Sequence, residues 1–179
     1  SSFFVGGIIG CVDATGCTIN ITNCYSTGTV TGSGNGVGGV LGYSTNCTVN
    51  MENCLNAGKV STGDAGAGGL LGRNGSYSTM KISYCLNRGT IEGSKWSGSV
   101  VGWWQSGTMT ATSVYGTGTI AVGNDKALTN ATMVDIKNIT VSDTVTVEGI
   151  RETLSGLFGE GTIWTIGTEE GSMPELQLN

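Results

Sequence analysis

A glycine-bracketed segment recurs four times in the chain, and no other feature restricts its possible folds as much. Gly6-Gly7-Ile8-Ile9-Gly10, Gly38-Gly39-Val40-Leu41-Gly42, Gly68-Gly69-Leu70-Leu71-Gly72 and Gly98-Ser99-Val100-Val101-Gly102 begin 30 to 32 residues apart. Each copy continues into a stretch with period-two alternation: Ile19-Asn20-Ile21, Val49-Asn50-Met51, Met80-Lys81-Ile82 and Met109-Thr110-Ala111. Alternation of this kind buries one face of a strand. A third stretch opens on glycine and ends on a β-branched residue: Gly28-Thr29-Val30, Gly58-Lys59-Val60, Gly89-Thr90-Ile91 and Gly118-Thr119-Ile120. A fixed period of this length means that every copy stacks on the next one, and the repeat must be read before anything else.

Three short strands and three turns per copy predict an all-β fold. The expected architecture is a parallel β-solenoid (β-helix) of about four coils of ~30 residues, in which equivalent residues form columns at a strand spacing of ~4.8 Å. Right-handed coiling is expected, because parallel crossovers within one sheet almost always take that hand. The inward columns are Ile19/Val49/Met80/Met109, Ile21/Met51/Ile82/Ala111 and Val30/Val60/Ile91/Ile120, and Asn20/Asn50/Lys81/Thr110 faces outward. The period ends after Ile120. Residues 1–121 are thus expected to be the solenoid and 122–179 a small mixed α/β cap, with helices over Thr129–Asn138 and Gly149–Phe158 and strands at Ile139–Val141 and Val145–Val147. A cap suits an open solenoid end, which otherwise exposes unpaired backbone.

Composition removes several function classes. Histidine is absent, so Ser-His-Asp and Cys-His catalysis and H-E-x-x-H zinc sites are excluded. Lys+Arg 8 against Asp+Glu 13 gives a net charge of −5, which offers nucleic acid no basic surface. No apolar run approaches the ~18 residues of a membrane span. No cofactor is expected.

The copies resemble the GLUG motif, a repeat with a Gly-Leu-(any)-Gly core. Val37-Gly38-Gly39-Val40-Leu41-Gly42 followed by Asn53-Cys54-Leu55-Asn56-Ala57-Gly58-Lys59-Val60 follows the family pattern, and Asn23-Cys24-Tyr25-Ser26-Thr27-Gly28-Thr29-Val30 follows it more closely. The fourth copy departs from it, with Ser113-Val114-Tyr115 in place of Asn-Cys-Tyr. Ile163-Trp164-Thr165-Ile166-Gly167 and Pro174-Glu175-Leu176 look like the closing segment that often follows such repeats. The resemblance implies a large extracellular bacterial protein, such as the adhesin-like proteins and the non-catalytic repeat regions of IgA-specific metallopeptidases, and it carries over no catalytic residue. The chain is therefore expected to be part of a longer polypeptide at a bacterial cell surface. Its expected role is a non-enzymatic stalk or adhesion segment that meets a glycan or a host surface protein.

Six cysteines in such a protein invite a disulfide reading. The column Cys24/Cys54/Cys85 ends in Val114, so the position accepts a hydrocarbon and reads as core packing by a small buried thiol. Cys17 and Cys47 share a second column, where in-register parallel strands seldom offer the Cβ directions a bridge needs. Zinc is not expected, since the spacing is wrong and no histidine completes a set. Ile8-Ile9-Gly10-Cys11 imitates a lipoprotein cleavage box, but it aligns with the later repeats and no basic segment precedes it.

Three surface patterns remain. Asp13, Asp64 and Asp125 fall apart from one another, and Glu52 and Glu92 stand near lysines, which describes a solvated face more than paired catalytic acids. Thr18, Thr48, Thr79 and Thr108 form an outward column, the pattern of ice-binding solenoids, although charged residues interrupt the neighbouring columns and strand propensity alone explains threonine there. Tyr43, Arg73 and Trp103 share a column with Cys11, with Trp104 adjacent and Trp96 a few residues earlier. Flat faces in a row could stack on sugar rings, the basis of an alternative reading as a carbohydrate-binding or glycan-processing β-helix with Tyr43, Arg73, Trp103 and Trp104 as contacts. Those tryptophans could equally cover the end of the last coil.

Overall fold

In the computed structural model of the chain, the residues described are 3–117, 122–123, 136–139, 164–165 and 175–176. Every element among them is a strand. Three stacks of short parallel strands run the length of the molecule, and their buried apolar residues form a main core and a smaller separate cluster of Val30, Val37, Val60 and Ala67. The first contains Val5–Gly6, Val37–Gly38 and the ends of Val60–Gly68 and Ile91–Gly98. The second contains Ile9–Asp13, Leu41–Thr45, Leu71–Asn74 and Val101–Trp104. The third contains Thr18–Thr22, Thr48–Glu52, Thr79–Asn87 and Thr108–Thr117.

The columns expected from the repeat are the ones that pair. Ile19, Val49, Met80 and Met109 are in register, as are Ile21, Met51, Ile82 and Ala111, and Val30, Val60 and Ile91. From the second coil onward their side chains are almost fully buried, apart from Ile91. Burying a side chain of this size stabilises by about 1.5–3 kcal/mol. Ile9, Ile19, Cys17 and Cys24 of the first coil are only partly covered, because no coil lies beneath them among the described residues.

Close coil-to-coil packing explains the glycines. A Cβ on Gly58 or Gly89 would come within 2.0 and 1.9 Å of the carbonyl oxygens of Gly28 and Gly58 in the preceding coil. A Cβ on Gly39 would lie 2.3 Å from Cγ of Asn56, and one on Gly69 would lie 2.2 Å from Cγ of Asn87. Those asparagines are fully buried, and Asn56 Nδ2 donates to Asn87 Oδ1 (2.8 Å) and to Gly58 O (2.9 Å). The fourth coil inverts this pairing. Ser99 stands where the earlier coils have glycine and Gly116 where they have serine or asparagine, and a Cβ on Gly116 would lie 2.4 Å from Ser99 Oγ. Its apparent degeneracy is thus an exchange of which partner fills one space.

The corners are not all glycine. Asn23, Asn53 and Tyr84 occupy the left-handed region (φ 57°, 51° and 51°) at one corner, and Gly16, Asn46 and Tyr77 do so at another (φ 75°, 56° and 56°). Asparagine tolerates this conformation readily, and an aromatic residue does not.

Parallel pairing continues past residue 121. Val122 bridges Val101, and strand Ile136–Ile139 pairs with Val114–Thr117. This strand takes the last three residues of the helix expected over 129–138, because pairing with an open sheet edge satisfies its backbone groups. The rest of that expected helix, the helix over 149–158, and the strands expected at 140–141 and 145–147 lie outside the described residues. Trp164–Thr165 and Glu175–Leu176 pair antiparallel.

Candidate functional site

The second stack places Cys11, Tyr43, Arg73 and Trp103 in one register column. A neighbouring column, one residue before Val5/Val37/Ala67/Ser97, contains Phe4, Gly36, Gly66 and Trp96. Together they form a continuous row of planar groups. Phe4 stacks on Tyr43 (centroids 4.1 Å apart, planes at 10°), the Arg73 guanidinium carbon lies 5.4 Å from the Tyr43 ring centre and 3.8 Å from that of Trp103, and Trp96 packs on Trp103 at 4.2 Å. Room for the row comes from Gly36 and Gly66, where a Cβ would crowd Arg73 and Trp103 at 3.1 and 3.3 Å. Trp96 adopts φ 49° in a column where the second and third coils have glycine at φ 99° and 76°, so its indole reaches Trp103 against a local backbone preference.

Arg73 is the hinge of this row. Its Nη2 donates to Gln105 Oε1 at 2.8 Å. Burial pulls its pKa below the usual arginine value, while the Tyr43 hydroxyl acts in the opposite direction, and the group remains a cation. A cation held between two rings contributes about 0.5–1 kcal/mol per contact at a half-exposed site, and each aromatic pair adds about 0.5–1.5 kcal/mol. Tyr43 lies between Phe4 and Arg73, and Arg73 between Tyr43 and Trp103, so the flat faces a sugar would need are turned toward one another. Of the residues singled out from sequence, Tyr43, Arg73 and Trp103 come together. Trp104 is fully buried in the core with Ala111, where the earlier coils have Ile21, Met51 and Ile82. Phe4 escaped the sequence reading, although its position two residues ahead of the first glycine core was available as a signal.

The cysteine column is interior, as its valine member implied. Cys54, Cys85 and Val114 are fully buried, and Cys24 is partly covered. Each thiol donates to the carbonyl two residues earlier: Cys24 to Thr22 (3.2 Å), Cys54 to Glu52 (3.3 Å) and Cys85 to Ser83 (3.1 Å). The left-handed residue between thiol and carbonyl bends the chain enough to close this contact. Burial, followed by the contact with Cys54, pushes the Cys85 thiol well above its ordinary pKa. The Cys85 thiol in turn pulls Cys54 down, with burial opposing it. All six cysteines are free thiols.

The threonine column is in register, with Thr108 Oγ1 donating to Thr79 Oγ1 at 3.3 Å. Exposed Glu52 and Lys81 stand in the outward columns beside it, so the face is not the flat uncharged array that ice matching requires. Lys59 and Glu92 form an exposed ion pair at 2.8 Å, which accounts for that carboxylate as part of a solvated face. Among the described residues, no three Cys, Asp or Glu side chains are placed to hold a metal ion, and no helix is long and apolar enough to cross a membrane.

Residues 4–31 match the family model described as the GLUG motif. That span is the first coil, and the in-register pairing extends its pattern through the next three. No curated protein and no solved structure matches the chain.

Proposed function

We propose that this GLUG-motif repeat protein is a non-enzymatic extracellular segment of a larger bacterial surface protein, a stalk or adhesion module whose coils set length and present a regular, protease-resistant face. One observation carries this reading. The column side chains that could have served chemistry are engaged with the equivalent residue one coil away: the stacked Tyr43–Arg73–Trp103 row, the Asn56–Asn87 ladder, the Asn20–Asn50 pair and the Cys54–Cys85 contact. Repetition spent on stacking gives length, since each coil contacts its neighbours and little else. A glycan or a host surface protein is the partner such a segment would meet.

Deleting residues 38–67, one coil in register, tests this. The shortened chain should fold with the same circular dichroism per residue, resist trypsin at the surviving coils, and lose about 4.8 Å of length by small-angle scattering. Failure to fold would show that the coils are not interchangeable spacers and would defeat the reading. For the location, antibody to the folded domain should label intact cells of the source bacterium, and labelling only after lysis would place the protein elsewhere.

A further inference from the structure

Tyr77 is the most exposed large hydrophobic side chain among the described residues, 87% accessible, and it stands at a corner in the left-handed conformation (φ 56°). Its column partners are Gly16 and Asn46, residue types that adopt this conformation with little strain. A tyrosine at this corner therefore works against the backbone and gains no burial in return. Folding does not account for it, and bulky residues in such conformations concentrate at binding sites.

Beside the ring lies an open groove of about 420 Å3 whose lining includes Gly16, Asn46, Cys47, Thr48, Tyr77 and Thr79. At Gly16 the groove opens to solvent, since a Cβ there would meet nothing within 4 Å. Thr48 and Thr79 are register partners, so their hydroxyls are spaced one strand apart along the groove. Asn46 Nδ2 donates to Asp13 Oδ1 at 3.2 Å, which fixes the amide and turns its oxygen the other way. No lining residue carries a charge. An exposed aromatic face next to a row of neutral hydroxyl and amide groups matches the two sides of a pyranose, a C–H face and a hydroxyl edge.

We propose that Tyr77, with Thr48, Thr79 and Asn46, forms a binding site for a neutral pyranose residue of an oligosaccharide. The ring stacks on the C–H face of the sugar, and the threonines and Asn46 bond its hydroxyls. This site is separate from the Phe4–Tyr43–Arg73–Trp103–Trp96 row, and it goes beyond the structural role above, which is tested by coil deletion and not by sugar binding.

The test titrates the full chain with cellotetraose, maltotetraose, mannotetraose, chitotetraose and lactose by NMR, together with Tyr77→Asn, Tyr77→Phe and Trp103→Ala. At least one neutral sugar should bind. Tyr77→Asn should weaken it at least about tenfold, the factor given by losing ~1.4 kcal/mol, while leaving Tm unchanged or higher because Asn46 shows that the corner suits asparagine. Tyr77→Phe should keep binding within about threefold, because the ring face survives. Three results would overturn the proposal: no neutral sugar binding at millimolar concentration, a Tyr77→Asn chain that melts several degrees lower, or binding lost in Trp103→Ala but kept in Tyr77→Asn, which would put the sugar on the other face.

Discussion

Consider the space shared by Ser99 and Gly116. Introducing asparagine at 116, the residue found at the same position in the second and third coils, places a Cβ 2.4 Å from Ser99 Oγ and 2.7 Å from Ser99 Cβ. Ser99 is 4% exposed and cannot swing into solvent, so Gly116→Asn alone should cost about 1–3 kcal/mol, the range for overpacking a filled core. Ser99→Gly removes a buried hydroxyl with no hydrogen-bond partner among the described residues, a relief of about 1–3 kcal/mol that offsets the ~0.5–1 kcal/mol of added backbone entropy. In the double variant the clash is gone, and the new amide can accept from Asn87 as Asn87 Oδ1 accepts from Asn56, worth about 1 kcal/mol. The pair should therefore show a favourable coupling energy of about 2–4 kcal/mol in a double-mutant cycle, the overpacking cost removed plus the hydrogen bond gained. Urea denaturation followed by tryptophan emission reads the relevant coil directly, because Trp96, Trp103 and Trp104 all lie in it. A coupling energy below about 0.5 kcal/mol would refute the size-exchange argument.

Two further outcomes follow from the side-chain stacks. Arg73→Ala should lower stability by about 1–2 kcal/mol by removing the guanidinium from between Tyr43 and Trp103, and Arg73→Lys should restore less than half of it, since an ammonium cannot stack flat; a lysine variant as stable as wild type in urea titrations would exclude planar stacking as the cause. The raised pKa of Cys85 means that the native state keeps the neutral thiol while the unfolded chain ionises, so its contribution is complete below about pH 8.5 and is lost as pH rises toward the folded value. Cys85→Val, which copies Val114 in the same column, should make the fall in urea midpoint between pH 7 and 10 shallower, and an unchanged slope would show that this thiol is not what couples stability to alkaline pH.

Period, strand order and the inward and outward columns were legible in the residues, for a simple reason. In a stack of near-identical coils the neighbour of a residue is its own counterpart about 30 positions away, so sequence spacing and spatial contact are the same information. The reading of Trp103 and Trp104 together as contacts overlooked the alternation: adjacent residues of a strand point to opposite faces, so only one of the two could stand outside, and the fold buries Trp104. Contacts between different columns were hidden. Phe4 on Tyr43, Trp96 on Trp103 and Ser99 against Gly116 each depend on where two separate turns bring the chain, which no period encodes. Strand Ile136–Ile139 joined the third stack 22 residues after its partner, outside the repeat, because an open sheet edge selects for backbone pairing and not for a sequence match. The left-handed corners show the same division. The period announced three turns per copy, and only the folded chain showed that asparagine, tyrosine and tryptophan stand at the left-handed corners, where side-chain bulk resists the conformation and surrounding structure must impose it.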